Sequence, residues 1–258
     1  MKHRVLAPIV GILCFLGAWE LLVQLKDVRP FVLRAPSRVV DNLFSYPGTY
    51  AEAAWVTLQH AYVGAALGLT GALVLAAPMA ASRFVEHAVH PVLTLVQVTP
   101  FVAYIASVVL WLGPGTRPAV FIVGLVCLPA FAFAAVDGMR SADPAARELL
   151  ASVDASRWEV LWRLRLPSAL PSLFTSARYN VGLALIAAYL VEGGNYANEG
   201  LGAIGKKAAL FPSTQDAADA LWAAIFAMAI LGTVTLLVLS VAQRALMRWH
   251  VSQRPQLR

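Results

Sequence analysis

Residues 200–207 come closest in this sequence to a nucleotide-binding motif. In the pattern G-x4-G-K-[ST], glycine amides cradle phosphates and a hydroxyl group holds Mg²⁺. The segment reads Gly200-Leu201-Gly202-Ala203-Ile204-Gly205-Lys206-Lys207. Lys207 stands where the hydroxyl residue is required, and no buried strand precedes the segment. We therefore predict a glycine-rich re-entrant stretch or loop, and we expect any ATP that drives this protein to bind another chain.

Glu192 is a second candidate, because its carboxylate lies near the end of a long apolar stretch. Polar groups inside such stretches are energetically costly and often mark a substrate or ion path. Two interpretations stay open. Glu192 lines such a path, or its carboxylate contacts water at the outer face of the membrane that the chain spans. In the first case it would act with the polar side chains near it, which are Asn180, Tyr189, Asn195 and Tyr196.

Gln97 and Thr99 are further path candidates, because they stand beside Pro100 in another apolar stretch. A proline inside a helix frees backbone carbonyl groups, which can line a polar path. A purely structural kink whose freed carbonyl is satisfied by Thr99 is the simpler interpretation.

Residues 140–167 form a charged segment between long apolar runs. Asp143-Pro144 is typical of a helix start, with aspartate as the N-cap and proline in the first turn. This helix is predicted to run to about Val153 and to be broken at Asp154. The run Ser156-Arg157-Trp158-Glu159 matches a capping box, which begins a second short helix that is expected to end at Pro167. The segment therefore predicts a helix-turn-helix.

The composition determines the setting of these candidates. Of 258 residues, 59% are hydrophobic and 13% are charged, whereas soluble domains carry roughly 25% charged residues. The apolar residues occur in runs long enough to cross a membrane as helices. The predicted spans are 5–25, 54–80, 91–113, 117–137, 169–193 and 219–243. The fold class is therefore all-α, a polytopic membrane protein with about six transmembrane helices in one domain, 1–258.

The distribution of positive charge predicts the orientation. If the N-terminus is cytoplasmic, thirteen of the twenty Lys and Arg residues fall in inside segments, with Arg178 counted among them. This bias places both termini and residues 140–167 in the cytoplasm. It also explains the net charge of +6 without nucleic-acid binding. No nucleophile–base set or metal-ligand set is apparent, and His60, His87 and His90 are widely dispersed along the chain.

The charged segment also resembles the motif E-A-A-x3-G-x9-I-x-L-P of bacterial ABC importer permeases. It reads Glu148-Leu149-Leu150, then Asp154 after three residues, then Leu164-Arg165-Leu166-Pro167 after nine. Two alanines are replaced by leucines and the glycine by aspartate, a residue that tolerates left-handed backbone. Val56-Thr57-Leu58, Leu112-Gly113-Pro114-Gly115 and Leu166-Pro167-Ser168-Ala169-Leu170-Pro171 look like the nitrate/sulfonate/taurine branch of these permeases.

The resemblance implies a type I ABC importer permease in the bacterial inner membrane. It implies a second permease copy, a cytoplasmic ATPase dimer and an extracytoplasmic binding protein as partners. The ATPase would contact the coupling residues Glu148, Asp154, Ala155, Ser156 and Arg157. ATP and Mg²⁺ would bind the ATPase, and this chain would bind no cofactor. The solute would be small and polar, such as nitrate, a sulfonate or taurine, although similar permeases carry pyrimidine precursors of thiamine.

The sequence leaves one alternative from another class. A stand-alone secondary transporter or channel could use Glu192 as an intramembrane proton or ion site. Such a protein would need no ATPase. The absence of an obvious cationic cluster in the predicted spans also weighs slightly against an anionic solute.

Overall fold

The computed structural model describes residues 2–26, 28–194, 199–210 and 215–246. Within these ranges all regular structure is helical. The α-helices are α1 (Lys2–Lys26), α2 (Pro36–Ser45), α3 (Pro47–Ala81), α4 (Arg83–Val98), α5 (Ile105–Leu112), α6 (Thr116–Arg140), α7 (Pro144–Ser152), α8 (Arg157–Val160), α9 (Leu166–Gly194), α10 (Leu201–Leu210) and α11 (Gln215–Leu246). A 3₁₀ turn, Phe101–Tyr104, precedes α5, and a π-helical turn, Leu161–Arg165, joins α8 to α9.

Five helical segments are long and apolar enough to cross a membrane. They are Leu6–Lys26, Pro47–Ala81, Thr116–Arg140, Arg157–Gly194 and Gln215–Ala245. The bent pair Arg83–Val98 and Phe101–Leu112 makes up to a sixth span. The all-α class and the number of spans are therefore confirmed.

The third predicted span, 91–113, differs most from the structure. Its helix begins eight residues earlier, at Arg83, and it is bent by 84° between Val98 and Phe101. Pro100 has no N–H to donate, and it disfavours helical backbone in the residue before it. Thr99 accordingly has extended backbone, with φ −73° and ψ 123°. The predicted kink is confirmed, but it is sharp enough to separate two helices.

Three helices, α3, α6 and α9, form the centre of the bundle, and small residues let them approach closely. A Cβ atom added to Gly68 would lie 2.6 Å from the carbonyl oxygen of Gly124, and one added to Gly138 would lie 2.6 Å from the Cα of Ala169. Small residues at such crossings favour association inside membranes, where packing replaces the hydrophobic effect. The buried core lies along these contacts.

Helix α9 does not begin where the sequence predicted. The second short helix was expected to end at Pro167, but α8 continues through the π-helical turn into α9 without a break. In a regular helix the proline ring would clash with the carbonyl group four residues earlier. The wider π-helical turn just before Leu166 is the local rearrangement that accompanies this proline. Arg157–Gly194 is therefore one helical segment.

The end of the bundle opposite α7 and α8 is joined by polar contacts. Glu20 of α1 accepts hydrogen bonds from the backbone N–H of Ser37 at 3.0 Å and from its hydroxyl group at 2.7 Å. These contacts satisfy a free donor in the first turn of α2, which begins at Pro36. Arg34 forms an ion pair with Asp219 of α11.

Candidate functional site

The turn that follows α7 is a Schellman motif with aspartate at its left-handed position. Asp154 has φ 52°, and in the described part of the chain it is the one non-glycine residue with positive φ. The N–H of Ala155 donates to the carbonyl oxygen of Leu150 at 3.0 Å, and that of Asp154 donates to Ala151 at 3.2 Å. These two bonds close the end of a helix whose C′ position is usually glycine. The prediction that Asp154 replaces the motif glycine as a left-handed residue is confirmed.

Both predicted helix starts in this segment are confirmed. The Asp143 side chain accepts from the N–H of Ala145 at 2.9 Å. Ser156 and Glu159 form a reciprocal capping box, in which the Ser156 N–H donates to Glu159 at 2.9 Å and the Glu159 N–H donates to the Ser156 hydroxyl oxygen at 3.2 Å. The caps fix the directions of α7 and α8 around the turn.

The predicted coupling residues lie together at this turn and face outward. Ala155 is half-buried, and the other four, Glu148, Asp154, Ser156 and Arg157, are exposed. Trp158 and Trp162 follow on α8 and the π-helical turn with 67% and 58% of their surfaces exposed and ring centroids 6.0 Å apart. Large exposed aromatic side chains beside a rigid turn are typical of a protein-binding surface.

A buried polar cluster surrounds Glu192 near the other end of α9. Glu192 is 3% exposed. Its Oε2 accepts from the N–H of Gly202 at 3.0 Å and lies 2.8 Å from the hydroxyl oxygen of Thr57, while Oε1 lies 2.9 Å from Nδ1 of His60. The Thr57 hydroxyl oxygen also accepts from the N–H of Leu201 at 2.9 Å. The structure therefore has a buried carboxylate here, not the water-exposed one of the alternative interpretation.

The glycine-rich segment 200–207 is explained by the same cluster. The loop interpretation is wrong for most of it, because residues 201–210 form α10. Gly200 has φ 86°, and a Cβ atom there would overlap the carboxylate of Glu192. A Cβ atom on Gly202 would overlap the backbone carbonyl of Tyr189. The glycines thus bring the N-terminus of α10 onto a carboxylate of this chain, an interaction that the helix dipole favours.

Thr57 and His60 were not predicted as site residues. They lie three residues apart on α3, so they share one face of a helix. Two polar side chains on one face of an apolar span could have identified them as candidates. Their distance from Glu192 along the sequence, more than 130 residues, conceals the contact.

The other predicted path residues lie in different places. Asn180 is 2% exposed in the core, where its amide donates to Ser176 at 3.2 Å. Tyr189 is half-buried against α10. Asn195 and Tyr196 lie outside the described residues. The roles of Asn180 and Tyr189 in a path stay predictions.

Gln97 and Thr99 are exposed at the bend after α4. The Thr99 hydroxyl group donates to the carbonyl oxygen of Leu95 at 2.7 Å. This is the contact expected if the kink is purely structural, because Thr99 then satisfies a carbonyl group that Pro100 leaves without its helical donor. The structure does not bring either residue to the Glu192 cluster.

Arg178 was counted among the inside-facing loop residues, and that assignment is wrong. It lies within α9, twelve residues after its first residue, and its side chain is exposed. Without Arg178, twelve Lys and Arg residues lie in the predicted inside segments and seven in the outside segments, so the bias still favours the same orientation. The predicted span 169–193 itself contains Arg178. A charged residue inside a membrane span could therefore be recognised from the sequence alone.

Comparison with known proteins shows that most of the chain, and not only the local features described above, resembles transport permeases. Residues 68–250 match the family described as "Binding-protein-dependent transport system inner membrane component". The taurine transport system permease protein TauC of Escherichia coli is 28% identical, over 97% of this chain and 92% of its own. The riboflavin transport system permease protein RibX of Chloroflexus aurantiacus is 31% identical, over 94% and 90%. A putative aliphatic sulfonates transport permease protein, SsuC of Escherichia coli, is 26% identical, over 91% and 88%.

Solved structures share the fold. The MetNI methionine ABC transporter in an inward-facing conformation has a chain with a TM-score of 0.66, at 18% identity over 76% of this chain and 95% of that one. A bacterial ABC transporter involved in the import of the polysaccharide alginate gives 0.64, at 18% identity over 95% of each chain. The helical bundle, the capped turn after α7 and the match over residues 68–250 agree: this chain belongs to the family of inner-membrane permease components of binding-protein-dependent ABC transport systems.

Proposed function

We propose that two copies of this chain enclose a translocation path and that a cytoplasmic ATPase dimer docks on residues 140–167. The observation that supports the docking site best is the left-handed backbone of Asp154, with φ 52°. It is the conformation that a glycine would supply at this position of the motif. Glu148 and Arg157 flank the turn as exposed charges of opposite sign, suited to polar contacts with a partner.

The proposed orientation places both termini and the α7–α8 turn in the cytoplasm. The excess of Lys and Arg on that side supports it. ATP and Mg²⁺ bind the partner ATPase, because the near-match at 200–207 is occupied by α10 packing against Glu192. An extracytoplasmic binding protein delivers the solute to the opposite face.

The coupling mechanism uses the continuity of α8 with α9. When ATP closes the ATPase dimer, the two docked turns are drawn together. Because Arg157–Gly194 is one helical segment, displacement of the turn moves α9 as well. The two copies then rotate against each other and open the path on the other side of the membrane, a rigid-body form of alternating access.

The proposed solute is a small polar molecule, with taurine and other sulfonates as the first to test. Relatives named for taurine and for aliphatic sulfonates support this class. A relative named for riboflavin shows that permeases of similar sequence are assigned to other solutes. Identification therefore requires direct assay with the cognate binding protein.

The test is to purify the chain together with its candidate ABC ATPase partner and to measure ATP hydrolysis in lipid nanodiscs. The variants Glu148→Ala and Arg157→Ala are compared with Thr233→Ala, which removes an exposed hydroxyl group from α11, away from the turn. We expect each coupling variant to lower the stimulation of ATP hydrolysis by the binding protein about thirtyfold, because truncating a charge that is buried in an interface typically costs about 2 kcal/mol. The control should keep wild-type stimulation.

Two results would contradict the proposal. The first is that no ATPase co-purifies with the wild-type chain. The second is that both coupling variants retain wild-type ATPase association and stimulation.

A further inference from the structure

One face of α9 is uncovered in the protomer, and half of that face is polar. Thr175, Arg178 and Tyr179 are exposed on it, with 80% of Tyr179 accessible. Toward the Glu192 end the same face continues with the apolar side chains of Ile186 and Leu190. At 3.6 residues per turn these five positions lie within roughly one third of the helix circumference.

Contacts with α6 place Arg178 near the middle of the membrane-spanning region. The Ser176 hydroxyl group donates to the carbonyl oxygen of Ala130 at 3.1 Å, and the Cys127 thiol lies 3.9 Å from the carbonyl oxygen of Asn180. Since α6 runs Thr116–Arg140, residues 127–130 are at its midpoint. Arg178, between Ser176 and Asn180, is therefore at mid-depth.

The Arg178 guanidinium has no hydrogen bond or ion pair with any residue that the structure describes. Gly182, one turn further along α9, has open space where its Cβ would be. Asp137 of α6 lines a pocket with Thr175 and Tyr179 nearer the α7–α8 end, three residues before Arg140, and it forms no ion pair with Arg178 among the described residues. A free cation is therefore held at mid-depth on an open surface.

This cation cannot face hydrocarbon at low cost, because charged groups at the bilayer centre are strongly disfavoured. Its side chain is also far shorter than the roughly 15 Å that separate the membrane midplane from either surface. Lipid headgroups cannot reach it for the same reason. The face that carries Arg178 must therefore meet water or protein.

We infer that Arg178 lines the aqueous solute path and binds the anionic group of the solute, a sulfonate or another oxyanion. This inference rests on the proposed permease function and adds the residue that recognises the solute charge. A guanidinium presents several N–H donors in a planar fork, which matches the oxygens of such a group. The hydroxyl groups of Thr175 and Tyr179 on the same face are further donors.

The experiment measures how fast a thiol beside Arg178 reacts with water-soluble reagents of opposite charge. Tyr179→Cys is introduced after Cys14→Ala and Cys127→Ala, in the full chain purified with its ATPase in nanodiscs. The probes are 2-sulfonatoethyl methanethiosulfonate, which carries a sulfonate, and its trimethylammonium analogue. We expect both to react, and Arg178→Gln to lower the anionic-to-cationic rate ratio about tenfold, as expected for one unit charge at short range. Arg178→Lys should keep the ratio.

Leu237→Cys is the matched control, since Leu237 is 61% exposed on an apolar face of α11. It should react with both reagents far more slowly than Tyr179→Cys.

The inference is overturned if Tyr179→Cys is as unreactive as this control, which would mean that the face is covered by the second copy or by lipid. It is also overturned if Arg178→Gln leaves the rate ratio unchanged. Because no transport is measured, an unchanged ratio in a complex that retains its ATPase rejects this inference alone, whereas failure of the ATPase to co-purify rejects the permease function.

Discussion

Glu192 combines full burial with three separate contacts, and this combination makes it a strong determinant of stability. Its carboxylate accepts from the N-terminus of α10 and contacts Thr57 and His60 on α3. Burial of a carboxylate is costly unless all of its oxygens are hydrogen-bonded. Removing it would leave the Gly202 N–H buried without its acceptor and His60 without its partner, which is more costly than removing an exposed group.

Glu192→Ala is therefore expected to destabilise the protein by about 3 kcal/mol, the size typical of breaking a buried polar pair. Thermal unfolding in detergent should show a lower Tm for this variant. Glu199→Ala, an exposed carboxylate seven residues later, should unfold like the wild type. An unchanged Tm for Glu192→Ala would mean that the cluster does not hold α10 to α3.

Gly202 tests the close approach of α10 to α9. A Cβ atom there would overlap the carbonyl group of Tyr189 and would lie 2.9 Å from the Cβ of Glu192. Gly202→Ala should therefore lower Tm, because backbone atoms on both helices would have to separate. Gly17→Ala is the control, since its Cβ would meet nothing within 4 Å, and alanine at that helical position should be neutral or stabilising. Equal Tm values for the two variants would contradict the packing argument.

Single residues were predictable where the signal is local. The capping box at Ser156 and Glu159 and the left-handed Asp154 follow from neighbouring residues, and the structure has both. The Glu192 cluster joins α3, α9 and α10 across more than 130 residues of sequence. Glu192 could be singled out as a polar group in an apolar span, but its partners depend on how the helices pack.

Among the helices, the pair α7 and α8 depends on the turn between them. Asp154 occupies a left-handed conformation that costs most L-residues about 1–2 kcal/mol. Asp154→Gly should keep or improve both Tm and stimulation of ATP hydrolysis, whereas Asp154→Val, which is β-branched, should lower both. Exposed Ser152→Ala on α7 is the control. If Asp154→Val matched the wild type in both measurements, the turn conformation would be irrelevant to coupling.

Helix ends near prolines were the least predictable elements. We predicted that a helix ends at Pro167 and that the third span is kinked at Pro100. The structure bends by 84° at Pro100 and continues the helix through Pro167. Each of these prolines lacks the backbone N–H that a regular helix would use as a donor. A π-helical turn accommodates Pro167, and Leu161 and Leu166 at its two ends pack against the central core, a long-range contact that the local sequence does not show.

For the molecule as a whole, the family assignment separates ATP-driven import from ion-coupled transport. Because Glu192 is buried and both of its oxygens have partners, this carboxylate offers no unpartnered oxygen to an incoming proton or ion. Proteoliposomes that contain this chain alone should therefore show no taurine uptake under an imposed pH gradient. Adding the ATPase, the binding protein and ATP is the positive condition. Gradient-driven uptake by the chain alone would revive the secondary-transporter alternative.

The length of the unbroken helical segment sets how large a movement the coupling needs. Arg157–Gly194 contains 38 residues, about 55 Å of helix at 1.5 Å per residue. A tilt of about 5° relative to α3, around its midpoint, would displace each end by about 2.5 Å on that length. The bonds to Glu192, at 2.8–3.0 Å, do not survive a change of that size. A small tilt of α9 within the protomer, added to the rotation of the two copies, would therefore be enough to free α10 at the far side of the membrane.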